Sequence, residues 1–190
     1  MIPTIGDEMM IKKKEIEYGQ YINEHVNNVK KVFNNLKNDI PSMNMINELL
    51  ADENRSFDDL VRNIDIHDES KFSTYEFDAY RRHFFPISDE EKENSKLDFE
   101  IAWEHHKHEN LHHWDTWYEK NIMNSMPMIY VIEMFCDCAA MSIKFGGNCI
   151  DWYNKQKKKN EIHLGVMQER VYLALAQRYY KVYDEKGNRK

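Results

Sequence analysis

Histidine carries the clearest chemical signal in this sequence, because five of the nine histidines fall between His105 and His113. Neutral imidazole and carboxylate together form the ligand set that suits Mn, Fe, Co, Ni and Zn in proteins. A site of this kind on a helical chain gathers its ligands from several helices. The clustering therefore predicts a metal site that includes one or more of these histidines.

Two further candidates lie on predicted apolar helix faces, which would carry them inward. His25 comes three residues after Ile22 and four before Val29, on the apolar stripe of the first predicted helix. Asp137 lies in the most apolar run of the chain, where an unpaired carboxylate is costly to bury. A bound metal, an Arg or Lys partner and a helix cap are the three ways of compensating that charge.

Two other acidic residues, Glu133 and Asp68, are candidates only in combination with residues near them in the sequence. Glu133 stands one helical turn before Asp137, and either orients a ligand imidazole or makes a simple structural hydrogen bond. The consecutive pair His67-Asp68 is weak on its own, because adjacent side chains on a regular helix diverge by about 100°. Both members can bind one ion only where the helix ends or distorts.

The order His25, His67-Asp68 and Asp137 on a helical chain resembles the H…HD…D signature of the HD-domain superfamily. The resemblance implies a metal-binding helical domain that acts as a phosphohydrolase on nucleotides, cyclic nucleotides and related phosphoesters. Lys71, three residues after Asp68, completes an HD-x-x-K motif. This motif resembles the one seen in the HD subfamilies that bind two metal ions. In those subfamilies later histidines bind the second ion, a role that the cluster would fill here.

A closer resemblance is to a small uncharacterised family of phage and bacterial proteins, and it covers roughly residues 21–180. It brings no established activity. The glycine-tyrosine-proline motif of the cyclic-di-nucleotide phosphodiesterases is absent, which argues against that substrate. The shared motifs are His67-Asp68-x-Ser70-Lys71-Phe72, Ala102-Trp103-x-His105-His106, Asn110-x-His112-His113 and Glu133-Met134-x-x-Asp137.

These resemblances, with helical spacing, predict a role for each candidate. His106 and His113 share one helix face with Asn110, and the neighbouring face carries His105 and His112, unless the helix ends near Asn110. The predicted metal ligands are His25, His67, Asp68, His106 and Asp137. The predicted catalytic residues are Lys71, which would neutralise phosphate charge, His112 and His113, which would bind phosphate or a second metal, and Glu133.

Apolar periodicity indicates an all-α fold, a single-domain helical bundle of the HD-domain type. From Tyr18 to Leu36 apolar residues recur every three or four positions, and Pro41 is expected to stop this first helix. Ser56 and Asp59 have the spacing of a capping box that opens a second helix ending at the His-Asp pair.

The middle of the chain offers a second capping box, Ser73 with Glu76, which predicts a helix ended by Pro86. The acidic stretch 88–95 is interpreted as an exposed loop. From Leu97 the spacing is helical again and leads into the histidine cluster.

The last third of the chain contains the most apolar segment. Ser125 as N-cap and Pro127 as an early helical proline precede an apolar run over 128–145, which Gly146-Gly147 closes, and this run should be the most buried helix. A last helix is predicted over 161–182.

Length, composition and net charge limit the kinds of protein that this chain can be. At 190 residues with 42% apolar residues, the chain suits one domain over 1–190, with its core at about 11–182 and a polar tail at 183–190. The net charge of −7 disfavours non-specific nucleic-acid binding. Three cysteines suit buried reduced thiols, and no 18 apolar residues run together, so we expect a cytoplasmic protein without membrane spans.

The sequence therefore predicts a metal-dependent phosphohydrolase that acts on a small phosphorylated metabolite, with a nucleotide preferred on the resemblance alone. Its cofactor would be one or two divalent ions of Mn, Fe, Co, Ni or Zn, with Mg as a further candidate. Two alternatives stay open. One is an HD-type di-iron oxygenase, and the other is a non-catalytic binding module that a metal stabilises.

Overall fold

The computed structural model describes residues 5–190, and within them the protein is built of α-helices. The strand-like pairing in this range is an isolated bridge between Tyr183 and Arg189, so the prediction of an all-α fold is confirmed. None of the described helices has both the length and the apolar character needed to cross a membrane. The helices are α1 (Ile5–Lys37), α2 (Ile40–Asp52), α3 (Phe57–Asp65), α4 (Phe77–Phe84), α5 (Asp89–Asn94), α6 (Lys96–Glu109), α7 (Trp114–Glu119), α8 (Met128–Phe145), α9 (Cys149–Lys158) and α10 (Val166–Val182).

The described chain divides into two compact units, each made of separate stretches of sequence. The first unit contains the described residues up to Glu24 together with Asp68–Asn110. The second unit contains His25–His67 and Leu111–Lys190. Helix α1 supplies residues to both units, and the single domain expected over 1–190 stays a prediction.

The second unit holds a large apolar core around α8, which contacts α2, α3, α9 and α10. Helix α8 is buried on nearly every side, because apolar residues occupy most of its positions. Phe135 on α8 packs edge-on against Tyr172 and Tyr179 of α10. The helix ends at Gly146, whose φ of 83° suits a residue without a Cβ atom.

The first unit has a smaller core that is built mainly of rings. Tyr18 on α1 is 1% exposed, and its ring centroid lies 5.1 Å from that of Phe77 on α4. Phe99 on α6 packs edge-on against Tyr80 at 5.1 Å and stacks on His83 at 4.0 Å. Aromatic pairs of this kind add about 0.5–1.5 kcal/mol each beyond their buried area.

The acidic stretch over 88–95 forms helix α5, so its interpretation as a loop is wrong. Ser88 caps the helix by accepting a hydrogen bond from the Glu91 backbone N–H at 3.1 Å. The Glu91 carboxylate accepts from Arg81, which is 2% exposed, at 2.8 and 3.0 Å. A buried guanidinium needs such partners, and Arg81 therefore orders a stretch whose composition is typical of an exposed loop.

Three predicted helix boundaries in the second unit need correction. Pro41 does not stop α1, which already ends at Lys37, but stands in the first turn of α2, where a missing N–H costs nothing. Ser125 lies in a 3-10 turn, and Pro127 itself occupies the N-cap of α8. The last helix begins at Val166 rather than at Glu161.

Three further comparisons concern a helix cap, the number of helices and the buried face of the last helix. The capping box of Ser56 and Asp59 is confirmed at the start of α3. Helices α2, α7 and α9 are not among the helices predicted from the sequence. Met167, expected on the buried face of the last helix, is 53% exposed, since the buried face of α10 runs through Gln168 and Tyr172.

Asp39 joins two helices of the second unit. Its carboxylate caps α2 by accepting from the Ser42 backbone N–H at 3.1 Å, and it also accepts from Arg178 of α10 at 2.5 and 2.7 Å. The hydrogen bonds from Arg178 lower the pKa of Asp39 well below its usual range, and those from Ser42 add to this against the opposing effect of burial.

We predict that Asp39→Ala lowers the free energy of unfolding by about 1–3 kcal/mol, because a helix cap and an ion pair are lost together. Since the folded-state pKa lies below the unfolded value of about 3.9, this contribution is complete above roughly pH 5 and is lost as the pH falls below it. Urea unfolding at several pH values measures both effects.

The matched control is Asp65→Ala. That side chain is 62% exposed and lies 3.4 Å from Lys30, so its removal should change stability by less than about 0.5 kcal/mol. Equal losses in the two variants would contradict the assigned role of Asp39.

Candidate metal centre

In the second unit, five histidine and carboxylate residues come from four places in the sequence. His25 lies on α1, His67 lies two residues beyond the end of α3, and His112 lies between α6 and α7. The other two residues, Glu133 and Asp137, stand one turn apart on α8.

Three of these side chains converge on one point. The Nε2 atom of His25 lies 3.4 Å from Nε2 of His67 and 3.1 Å from Oδ1 of Asp137. One ligand atom of each residue lies within 4.8 Å of the others. Atoms bound at about 2.0–2.2 Å to a tetrahedral ion lie about 3.3–3.6 Å apart, so the observed spacing fits a transition-metal ion with little movement.

Glu133 fixes the orientation of two imidazole rings. Its Oε1 atom lies 3.0 Å from Nδ1 of His67 and 3.2 Å from Nδ1 of His112. Its Oε2 atom accepts from the Asn63 side-chain amide at 3.3 Å. Glu133 is 5% exposed, so its charge depends on these donors.

The contact with Glu133 assigns a proton to one nitrogen of His67. An ionised carboxylate only accepts, so Nδ1 of His67 donates to Glu133. The other ring nitrogen, Nε2, faces His25 at 3.4 Å. Metal-binding histidines usually have a carboxylate on one ring nitrogen and bind the ion with the other. This geometry favours the first of the two roles predicted for Glu133, that of orienting a ligand imidazole.

His112 is a further ligand candidate in this unit. Its ring centroid lies 4.4 Å from that of His67, and its Nε2 lies 3.9 Å from Oδ2 of Asp137. It is 1% exposed. His113 occupies the N-cap position of α7 without a side-chain hydrogen bond, and its ring centroid lies 4.3 Å from that of His112. Helix α6 ends at Glu109, so neither residue lies on the helix face that regular spacing assigned to it.

The histidines hold both carboxylates ionised. Burial raises the pKa of Glu133, but the charges and hydrogen bonds of His112 and His67 outweigh it and bring the pKa to about 2. Burial likewise raises the pKa of Asp137, and the hydrogen bond from His25, with the charges of the three histidines, lowers it well below the usual range. Ionised carboxylates are the form that binds metals.

In the first unit, Asp68, Lys71 and His106 lie together. Nε2 of His106 is 3.3 Å from Oδ1 of Asp68, and Lys71 donates to Oδ2 of Asp68 at 2.6 Å. Asp68 has a φ of 59°, in the left-handed region that Asp adopts more readily than most residues. The backbone at Asp68 therefore departs from regular helix geometry.

Glu76 was missed as a site residue because its spacing from Ser73 is that of a capping box. No side-chain cap forms at α4, so that expectation is wrong. Instead the fully buried Glu76 carboxylate lies 2.7 Å from Nδ1 of His105 and 2.8 Å from Nδ1 of His106. Two imidazoles compete successfully for the carboxylate because the interior offers it no water.

The structure thus brings the predicted residues into two groups. His25, His67 and Asp137 meet in the second unit together with Glu133 and His112. Asp68, His106 and Lys71 meet in the first unit. The roles of all these residues, and of His113, as ligands or catalytic groups stay predictions.

One comparison with known proteins gives a result. A family model described as a family of unknown function, DUF5662, matches residues 14–177, which is most of the chain. The chain belongs to DUF5662. Neither the curated proteins nor the solved structures contain a match. Membership of DUF5662 covers both groups of histidines and carboxylates, but assigns no activity to them.

For this DUF5662 protein we predict that Glu133→Gln weakens the binding of Mn²⁺ or Zn²⁺ by about 10–100-fold, a usual cost of removing an outer-shell carboxylate. The amide has one acceptor oxygen, and its NH₂ group cannot accept from a ring N–H. Isothermal titration calorimetry measures the affinity. Glu48→Gln, on the exposed side of α2, is the matched control, and equal affinity in both variants would rule out the orienting role of Glu133.

Proposed function

We propose that this protein is a metal-dependent hydrolase of small phosphorylated compounds, with its principal ion held by His25, His67 and Asp137. The observation that carries the proposal is the convergence of Nε2 of His25, Nε2 of His67 and Oδ1 of Asp137 at separations suited to a bound ion.

The donor set supports a transition metal. Two imidazoles and a carboxylate suit Mn, Fe, Co, Ni and Zn better than Ca or Mg, which prefer oxygen ligands alone. His112 is a candidate fourth ligand, since its Nε2 is directed toward Asp137. A catalytic site keeps at least one position for water or substrate, so three or four protein ligands are compatible with turnover.

The sequence signature supports the proposed class of reaction, phosphoester hydrolysis. His25, the pair His67-Asp68 and Asp137 resemble the HD-domain pattern, which is typical of phosphohydrolases. Asp68 lies in the first unit, and its role as a ligand is kept as a prediction from that resemblance. The nature of the phosphoester rests on the resemblance alone, with a nucleotide preferred.

The chain's own residues would act as positioning and charge-balancing groups. Glu133 lies against the Nδ1 atoms of His67 and His112 at 3.0 and 3.2 Å, which directs both Nε2 atoms away from the glutamate. Asp137 supplies negative charge and is partly exposed, at 21% of its side chain, which leaves solvent a way to the ligand atoms. A divalent ion bound there would supply a nucleophilic water at neutral pH and electrostatic stabilisation of the transition state.

We predict that the purified protein contains a divalent metal and hydrolyses at least one phosphoester in the presence of Mn, Co, Ni, Mg or Zn. The screen uses p-nitrophenyl phosphate, its bis ester and nucleoside mono-, di- and triphosphates. His67→Ala should lose the metal and more than about 100-fold in kcat/KM, since even outer-shell partners contribute about 10–100-fold. His108→Ala, at an exposed position on α6, is the matched control.

The outcome of this screen also separates the alternatives. Metal-bound protein that is inactive on every phosphoester would favour a binding module that the metal stabilises. Iron in a coupled mixed-valent pair, seen by electron paramagnetic resonance after anaerobic purification, would overturn the hydrolase in favour of a di-iron oxygenase. Retention of metal in both His67→Ala and Asp137→Ala would remove the proposed centre altogether.

A further inference from the structure

Two helices of the first unit each present a row of exposed apolar side chains. The row on α1 consists of Ile5, Met9 and Ile16, which are 79%, 71% and 55% exposed. At about 100° per residue, these three side chains lie within about 40° of one another around the helix. Single exposed apolar residues are common on protein surfaces, whereas a continuous row of them is typical of a site of interaction.

The row on α6 is shorter but has the same form. Leu97 and Ile101 stand one turn apart and are 66% and 62% exposed. Apolar residues thus stand where an amphipathic surface helix carries polar ones. A shallow depression at this place is lined by Leu97, Phe99, Glu100, Ile101, Trp103 and Glu104.

Positive charge accompanies the apolar row of α1. A second shallow depression there is lined by Met9, Lys12, Lys13, Ile16 and Glu17. Lys13 lies 3.9 Å from Glu17, so these two charges partly cancel. Lys12 has no ion-pair partner among residues 5–190. It stands in line with the row, because it comes three residues after Met9 and four before Ile16.

Negative charge accompanies the apolar row of α6. Glu104 is paired with Lys107 at 2.8 Å. Glu100 stands directly before Ile101 and has no ion-pair partner within the part of the chain that the structure describes. The two rows are therefore complementary, since one combines apolar side chains with an unpaired lysine and the other combines them with an unpaired glutamate.

A second copy of this chain offers both complementary surfaces at once. When the α1 row of one copy lies on the α6 row of another, Lys12 meets Glu100. A two-fold dimer forms this contact twice, because residue i then meets residue j and residue j meets residue i. The repetition is needed, since specific interfaces bury at least about 1,200 Å² and one contact between two short rows does not reach that area.

We propose that this protein forms a two-fold dimer through its first unit, in which the apolar row of α1 in each copy packs on the apolar row of α6 in the other, and Lys12 pairs with Glu100 across both contacts. The dimer is independent of the proposed metal centre. Neither Lys12 nor Glu100 belongs to the predicted ligands or catalytic residues.

The test exchanges the two charges between copies. Sedimentation-velocity ultracentrifugation over the micromolar range measures the Kd of dimerisation for the wild type, for Lys12→Glu, for Glu100→Lys and for an equimolar mixture of these two variants. In the mixed dimer one contact is that of the wild type and the other has its two charges exchanged, so both are complementary. The matched control is Lys155→Glu, at an exposed position on α9, which changes the net charge as Lys12→Glu does.

We expect the wild type to dimerise, and each single charge reversal to raise the Kd by about 10-fold, because repulsion replaces attraction at both contacts. The mixture of Lys12→Glu and Glu100→Lys should dimerise with the wild-type Kd, and Lys155→Glu should leave the Kd unchanged. Met9→Gln should raise the Kd by about 10-fold or more, since it removes apolar surface from both contacts. Met167→Gln, which alters a methionine that is 53% exposed on α10, should not.

Three results would overturn the proposal. They are a wild type that stays monomeric over the whole range, a Kd that neither charge reversal changes, and a mixture that dimerises no better than the two variants alone. Circular dichroism checks that each variant is folded, and mixing cannot rescue a variant that has lost its fold. The readout involves neither metal content nor hydrolysis, so failure of the dimer and failure of the proposed function are distinguishable.

Discussion

The arrangement of the histidines depends on one kind of interaction, a buried glutamate that bonds the Nδ1 atoms of two imidazole rings. Glu133 does this for His67 and His112, and Glu76 does it for His105 and His106. An ionised carboxylate in the interior is costly unless several donors replace its water. Each buried glutamate therefore depends on its two histidines for hydrogen-bond donors, and the histidines depend on the glutamate for their orientation.

This mutual dependence has a chemical consequence. A carboxylate that only accepts hydrogen bonds leaves each ring protonated at Nδ1, and so directs the basic Nε2 away from the glutamate. In the second unit Nε2 of His67 faces His25, and in the first unit Nε2 of His106 faces Asp68. The same kind of contact between a glutamate and two Nδ1 atoms thus occurs in both units.

Much of the fold was predictable because helix signals are local. The apolar spacing of α1, the capping box of Ser56 and the apolar run of α8 all act within a few turns. Where the prediction was wrong, a residue distant in the sequence had changed the local structure. Arg81 binds Glu91 in the acidic stretch that forms α5, and two histidines bind the Glu76 carboxylate, which makes no capping hydrogen bond. Such partners are separated along the chain by 10 to 30 residues, and no local pattern shows them.

The sequence by itself determined the helical class and the inward position of His25, which is 4% exposed, because periodicity selects the buried face of a helix. Only the tertiary structure decided how the histidine cluster divides, with His106 against Asp68 and His112 against Glu133. Helix α6 ends at Glu109, so regular spacing no longer governs the residues that follow. From there the cost of burying carboxylates without donors determines which imidazole meets which acid.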